Sequence, residues 1–345
     1  MRVLFVGGGT GGHLTPATGL AEELRARGHR TRFLCNGRGV EQAYFQAGDE
    51  AQSLGIDDSK LPRPAALIRA MLRVRREARQ FVPDIVVALG GAGSTAALAV
   101  PGRAPLIALE GNFVVGRSVK LLDRFARFTL TLFPETAAQL RRGRCIGPIG
   151  RSALAAIDRE QARAAFGLAP DRAVLLVMGG SQGAQDLNRA AARLAPELAA
   201  LGVQLLAVAG PGKEVELREA CRRAGLSAAV LDHCHDMGAA YSAADFVLCR
   251  GGAATMAELW LHRLPAAVAP FPYHKDKQQE HNARALIPGV RLVDPRDPGD
   301  DAQILEPLAD PLVRRRMAAY LEQVAPADGQ RSAADLLEEI AVAKA

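Results

Sequence analysis

Apolar residues in this chain fall into short unbroken runs, and the stretches between the runs carry apolar residues at helical spacing. Val3–Val6 is continuously apolar and predicts a strand buried on both faces. Thr15–Arg27 sets Leu20, Ala21 and Leu24 on one side and closes on Gly28, which predicts a helix. Thr31–Cys35, Ile85–Leu89 and Leu106–Leu109 predict further strands. Ile68–Gln80, stopped before Pro83, and Val119–Phe128 predict helices. The segment CIGPIGRSAL (145–154) is broken by Gly147, Pro148 and Gly150 and predicts a linker. Beyond it the alternation restarts. Strands are expected at Val174–Met178, Val203–Ala207, Ala229–Leu231, Phe246–Cys249 and Ala266–Ala269. Helices are expected at Asp186–Leu201 and, after the break Pro326–Gly329, at Ser332–Ala343. Val-, Ile- and Leu-rich strands alternating with helices predict parallel sheets covered on both faces. The fold class is therefore α/β, with two doubly wound domains, 1–150 and 151–329, and a last helix, 330–345, packed back on the first.

Glycine turns follow four of the strands, at 7–12, 90–93, 179–183 and 251–252. In an open α/β sheet ligands sit outside the carboxyl ends of the strands. The helix that follows offers free N–H groups and a partial positive charge, which suits phosphate. Four such turns, divided between two halves, predict a ligand cleft. Gly7-x-Gly9-x-x-Gly12 also satisfies the dinucleotide fingerprint, but that reading needs an acid at the end of the second strand. The strand ends Phe33-Leu34-Cys35-Asn36, with none. Arg38 leaves room for a phosphorylated cofactor, so an NADP-dependent oxidoreductase stays as an alternative.

Composition narrows the classes. The 345 residues suggest two domains. Aromatic residues, 5% of the chain, leave little for stacking single-stranded nucleic acid, and no nucleic-acid partner is expected. Five scattered cysteines without a C-x-x-C argue for a reducing compartment. The apolar run before the first glycines is too short for a signal peptide, and nothing approaches a membrane span. A cytosolic or membrane-surface protein is expected. Residues 1–150 carry 21 Lys and Arg against 12 Asp and Glu, and residues 151–345 carry 22 against 25. The two halves are therefore expected to face different partners, or one of them an anionic surface. Arg69, Arg73 and Arg76, and Arg117, Lys120, Arg124 and Arg127, lie at helical spacing beside apolar residues. They read either as solvated faces or as a surface for anionic lipid headgroups.

Four motifs in one order carry a resemblance: GGTGGHLTPA (8–17), GGSQGA (179–184), RGGAATMAE (250–258) and PFPYHKDKQQEHNA (270–283). EGNFVVGRSVKLLDRFA (110–126) and HDMGAAYSAADFVLCR (235–250) add to it. Together they resemble the MurG-type UDP-N-acetylglucosamine:lipid I N-acetylglucosaminyltransferases of glycosyltransferase family 28, over nearly the whole chain. The resemblance implies the GT-B fold, two Rossmann-like domains facing a central cleft. It implies inverting transfer of N-acetylglucosamine from UDP to an undecaprenyl-diphosphate-linked muramoyl pentapeptide, at the cytoplasmic face of the membrane, in peptidoglycan synthesis. A different lipid or small-molecule acceptor, or a UDP-N-acetylglucosamine epimerase, is the alternative.

The resemblance also distributes roles. Ser181 and Gly183 fall by the donor diphosphate and Glu258 on the ribose. Cys234 and Met237 fall near the uracil, and Gln278 and Gln279 on the sugar hydroxyls. Arg151, which ends the linker motif, is expected at the nucleotide; Asn112, Ala253, Ala254 and Thr255 join the substrate-binding set. Thr10, Gly11 and Gly12 are expected near the donor sugar, where the acceptor diphosphate arrives. His13 stands where a helix begins, whose dipole favours the neutral imidazole, and is the candidate base. The chain has no D-x-D, so no metal or other cofactor is expected. His233 and His235 in DHCHD have ligand chemistry but lack a third ligand nearby, and His274 and His281 read as loop residues. The chain departs from the family pattern at Gly111, at Pro148–Gly150, at Gly251 and at Ala92–Ala96, and several of these lie in the acceptor half.

Overall fold

The structure is a computed structural model and describes residues 1–9, 11–36, 44–45, 50–56, 62–180, 182–273, 276–324 and 328–343. The chain divides into two compact units, 1–152 with 326–345, and 153–325.

The first unit is built on seven parallel strands: β1 (Arg2–Val6), β2 (Arg30–Cys35), β3 (Glu50–Ser53), β4 (Ile85–Ala88), β5 (Leu106–Glu110), β6 (Phe128–Thr131) and β7 (Gly143–Cys145). Their order is β3-β2-β1-β4-β5-β6-β7. Side chains of β1 alternate between two cores, as the two-residue strand period requires. Val3 and Phe5 meet Leu14, Ala17, Leu20 and Leu24 of the helix Gly11–Ala26, and Ala333, Ala334, Leu337 and Ile340 of the helix Gly329–Val342. Leu4 and Val6 meet Ala70, Val74, Ala78 and Phe81 of the helix Arg63–Phe81, with Ala96, Ala97, Val119 and Leu122. The C-terminal helix is fixed by ion pairs from Arg27 to Asp335 (2.6 Å) and Glu338 (3.1 Å), and by His29 on Glu338 (2.7 Å).

The second unit has six parallel strands: β8 (Val174–Met178), β9 (Gln204–Val208), β10 (Ala228–Leu231), β11 (Phe246–Cys249), β12 (Ala266–Val268) and β13 (Val290–Leu292). The order β10-β9-β8-β11-β12-β13 reproduces that of β3-β2-β1-β4-β5-β6 in the first unit, without a counterpart of β7. Asp245, just before β11, accepts from Val174 N (2.8 Å) and from the fully buried Arg163 (2.6 Å), and Arg159 joins them. This cluster clamps the amino ends of β8 and β11. In each unit the strand order reverses beside the first strand, between β1 and β4 and between β8 and β11, the two positions where ligands bind in such sheets.

Several elements differ from the sequence expectation, and the helix expected from Ile68 begins five residues earlier, at Arg63. The first helix begins at Gly11, not Thr15, with Pro16 inside it; Pro16 lies near enough to the start that only the bond to the Gly12 carbonyl is lost. Val119–Phe128 is not one helix: Arg117–Leu122 is helical and Phe128 opens β6, whose Thr129 and Thr131 are wholly buried. Asp186–Leu201 is two helices, Gln185–Arg193 and Ala195–Ala200, because Pro196 removes a ladder donor. Among the described residues no helix is long and apolar enough to cross a membrane.

Candidate functional site

In the first unit the loops after β1 and β4 are in backbone contact. Gly8 N donates to Gly90 O (3.3 Å). A Cβ on Gly7 would lie 2.8 Å from the Ser94 Cβ, and one on Gly91 would lie 2.4 Å from Gly8 O. Both glycines have positive φ, +109° and +73°, so the approach requires glycine twice over. His13 is the third residue of the helix Gly11–Ala26, and its Nδ1 is 3.2 Å from Gly8 O. On its other side the ring borders Gly90, where a Cβ would stand 3.2 Å from Nε2.

Three residues that the motif reading did not single out shape this loop cluster. Asn36, at the end of β2, donates from Nδ2 to Gly8 O (3.3 Å). Glu110, the last residue of β5 and 2% exposed, accepts from the Asn112 backbone (2.9 Å), the Asn112 side chain (3.1 Å) and Gly116 N (2.8 Å). It therefore sets the turn that presents Asn112. Tyr44 packs against Gly11, where a Cβ would lie 2.1 Å from the phenol oxygen, and carries the Arg151 guanidinium 5.4 Å above its ring. The Arg151 Nε is buried with no hydrogen-bond partner. Thus Gly11, Gly12, His13 and Arg151 share one neighbourhood within this unit. Thr10 lies outside the described residues.

The second unit repeats the arrangement with different chemistry. After β11, Gly252 caps the helix Ala253–His262 without a side-chain bond, and Met256 N is the first amide to reach back, to Gly252 O (2.9 Å). The N–H groups of Ala253, Ala254 and Thr255 thus have no partner within the helix, an arrangement chemically suited to an anion. One turn further on stands Glu258, half-buried, accepting from Tyr241 Oη at 2.6 Å. Burial, then the Glu258 charge, hold the Tyr241 hydroxyl well above its ordinary range, so it stays a donor. Gln278 and Gln279 open the helix Gln278–Arg284, which is latched to the same turn: Asn282 Nδ2 donates to Gly251 O (3.1 Å), and a Cβ on Gly251 would meet Gln279 O at 2.3 Å. Gln279 Oε1 accepts from Phe271 N (2.8 Å), which fixes the direction of that amide.

The turn after β8 closes on Gly183, whose φ is +64° and where a Cβ would lie 2.0 Å from Ala209 O. Ser181 and His274 lie outside the described residues. Arg250 bridges to Asp186 (2.5 and 2.7 Å) and to Ala269 O (3.0 Å), tying β11 to the helix after β8. Cys234 is buried, its thiol donates to Asp236 O (3.2 Å), and burial raises its pKa, so it stays a neutral wall residue. Met237 begins the helix Met237–Ala243 that carries Tyr241, capped by the Asp236 carboxylate on Ala239 N (2.8 Å). His233 and His235 pack edge to face at 4.6 Å. Among the described residues no three His, Cys, Asp or Glu side chains gather as a metal site would require.

Residues 3–131 match the glycosyltransferase family 28 N-terminal domain and residues 174–288 the family 28 C-terminal domain. A protein of Anaeromyxobacter sp. (strain Fw109-5), named UDP-N-acetylglucosamine--N-acetylmuramyl-(pentapeptide) pyrophosphoryl-undecaprenol N-acetylglucosamine transferase, is 33% identical over 364 residues, 99% of this chain and 93% of its own. One of the same name from Nocardia farcinica (strain IFM 10152) is 34% identical, over 99% of this chain and 95% of its own. The crystal structure of Acinetobacter baumannii MurG superposes with a TM-score of 0.78 at 25% identity, covering 98% of this chain and 99% of that one.

Proposed function

The chain belongs to glycosyltransferase family 28, and we propose that it transfers N-acetylglucosamine from UDP-N-acetylglucosamine to the muramoyl sugar of an undecaprenyl-diphosphate-linked pentapeptide. The observation that carries the reading is the turn after β11. There an uncapped helix start, a carboxylate fixed by a tyrosine, and two glutamines on a latched helix lie together in one unit. Those groups suit, in turn, a diphosphate, a ribose diol and a sugar. The carboxylate accepts from vicinal hydroxyls, and the amides both donate and accept. Cys234 and Met237 form the wall that takes the uracil.

In the reaction the acceptor hydroxyl attacks C1 of the donor sugar from the face opposite UDP, so the configuration inverts. His13 takes the proton from that hydroxyl. The glycine loops after β1 and β4 receive the acceptor diphosphate, and Asn112, presented by Glu110, borders them. As the bond to UDP breaks, negative charge grows on the β-phosphate and meets the amides of residues 253–255. That charge is held by backbone dipoles, so no metal or organic cofactor is required, and a chelator should leave the rate of UDP release unchanged. The acceptor arrives from the cytoplasmic face of the membrane, where the basic first unit docks. The product is a precursor of peptidoglycan, so loss of the activity disturbs cell shape and division.

Labelled UDP-N-acetylglucosamine with the lipid-linked acceptor tests the reading: UDP release and a labelled lipid should appear together, and neither without acceptor. Sugar-nucleotide turnover without acceptor would identify an epimerase. Thermal stabilisation by NADPH and not by UDP would identify an oxidoreductase. Within the transferase, His13→Ala should lower kcat by about 100-fold or more while leaving UDP affinity unchanged.

A further inference from the structure

Gly8 O sits between two donors. His13 Nδ1 lies 3.2 Å from it and Asn36 Nδ2 lies 3.3 Å from it. A carbonyl can only accept, so the Nδ1 nitrogen carries the proton and the lone pair of a neutral His13 is on Nε2. Nε2 is the nitrogen that faces Gly90, where glycine keeps a methyl group from standing 3.2 Å away. The carbonyl can set the tautomer only if it keeps its direction, and its own peptide lies in a run of glycines, Gly7 to Gly9, all at positive φ. Nothing in the side chains of that run can hold it.

Asn36 can. It is 4% exposed and its backbone is fixed at the end of β2, where its carbonyl accepts from Ile56 N (3.0 Å). Its Oδ1 is buried with no hydrogen-bond partner and lies against Gly93, where a Cβ would be only 2.0 Å away. Turned over, the amide would set its oxygen against the Gly8 oxygen, so the orientation is fixed by repulsion as well as by the bond. A buried acceptor without a donor is disfavoured and calls for an explanation. Here the other end of the same amide supplies one.

We propose that Asn36 is a positioning residue that holds the Gly8 carbonyl and thereby keeps the proton of His13 on Nδ1, leaving Nε2 to act as the base. The proposal rests on the reading of His13 as the base. In this role Asn36 acts through the Gly8 carbonyl and not on the substrate. Asn36→Asp keeps the shape but replaces the donor with an acceptor, and Asn36→Ser removes the donor at smaller size.

Long-range proton–nitrogen spectra of the full chain labelled at histidine, with His13→Gln used for assignment, read the tautomer directly. The wild type should show a proton on Nδ1 and an unprotonated, pyridine-like Nε2; both Asn36 variants should show a mixture or the reverse. In turnover assays both variants should lose kcat by about ten- to a hundredfold, with KM for UDP-N-acetylglucosamine changed less than about twofold. In a His13→Ala background Asn36→Asp should cause no further loss. A wild-type proton on Nε2 overturns the proposal without any variant. So does an unchanged tautomer in a folded Asn36 variant, or an equal kcat loss with and without His13. A fully active His13→Ala overturns the base reading instead, and the spectra still decide whether Asn36 sets the ring.

Discussion

A methyl group on Gly183 would sit 2.0 Å from the Ala209 carbonyl oxygen, on a backbone with φ of +64°. Gly28 has φ of +82° and nothing within 4 Å of the same position. The two glycines separate backbone strain from steric conflict. Gly28→Ala should cost only the left-handed penalty, about 1–2 kcal/mol. Gly183→Ala should cost more, about 2–4 kcal/mol, and should also weaken UDP binding, because the turn after β8 must move. Urea unfolding of both variants with UDP titrations checks the contrast; equal destabilisation would mean that the Gly183 turn relaxes freely. Tyr241 gives the complementary case in a side chain. Tyr241→Phe removes a 2.6 Å bond to Glu258 while preserving shape. A bond to a charged acceptor contributes about 1.5–3 kcal/mol. The variant should therefore lose stability on that scale and raise KM for the donor several-fold through a disoriented carboxylate, measured by calorimetry and steady-state rates.

At the scale of elements, the helix Ala253–His262 joins the turn after β11 to the start of the second unit, since the ring of its last residue donates from Nε2 to Leu154 O at 2.8 Å. Burial holds the His262 pKa below its ordinary value of 6.5. The folded chain thus binds this proton less readily than the unfolded chain. Stability from this site is fully present above the unfolded value and is lost as pH falls through 6.5 toward the folded value. Between pH 7.5 and 5.5 the wild type should lose more unfolding free energy than His262→Gln; identical slopes would assign the loss to other groups.

Elements of this kind were legible in the sequence to different degrees. Strands such as Val174–Met178 and Phe246–Cys249 lie within one residue or none of their expected bounds, because both faces are buried and the apolar run is uninterrupted. Glu50–Ser53 is a polar edge strand with a half-exposed pattern, so nothing in its composition marks it. Phe128–Thr131 carries no strand signal, and its first residue falls within the expected helix Val119–Phe128, because its buried threonines, one of them bonded to the buried Asp123, do not read as core. The site divides in the same way. Gly183, Glu258 and Gln279 stand in motifs. Tyr241 holds Glu258, Glu110 holds Asn112, Asn36 holds Gly8 and Tyr44 packs on Gly11, through contacts that form only after folding, so spacing along the chain does not show them.

At the scale of the whole molecule, charge and exposed apolar surface coincide on one layer of the first unit. The helix Arg63–Phe81 and the segment 117–127 pack on the same face of the sheet, through Ala70, Val74 and Ala78 and through Val119 and Leu122. Outward, Ile68 is 60% exposed, Leu72 65% and Phe125 61%, among the exposed Arg69, Arg73, Arg75, Arg76, Lys120 and Arg124. None of those six basic side chains has an ion-pair partner among the described residues. Apolar side chains set among unpaired cations suit the boundary of an anionic bilayer, with the rings and branched chains below the phosphates and the guanidinium groups at their level. Each cation near such a surface contributes about 1 kcal/mol. Reversing Arg69, Arg73 and Arg76 to Glu should then weaken binding to anionic vesicles by more than about 100-fold, while kcat on a short-chain, detergent-dispersed acceptor stays unchanged. Ile68→Asn with Leu72→Asn should weaken the same binding by an amount that does not vary with salt, since only the charged part is screened. Cosedimentation indifferent to lipid charge and to ionic strength would reduce this layer to a solvated face, and the lipid-linked acceptor would then have to be captured from the bilayer by the diphosphate loops alone.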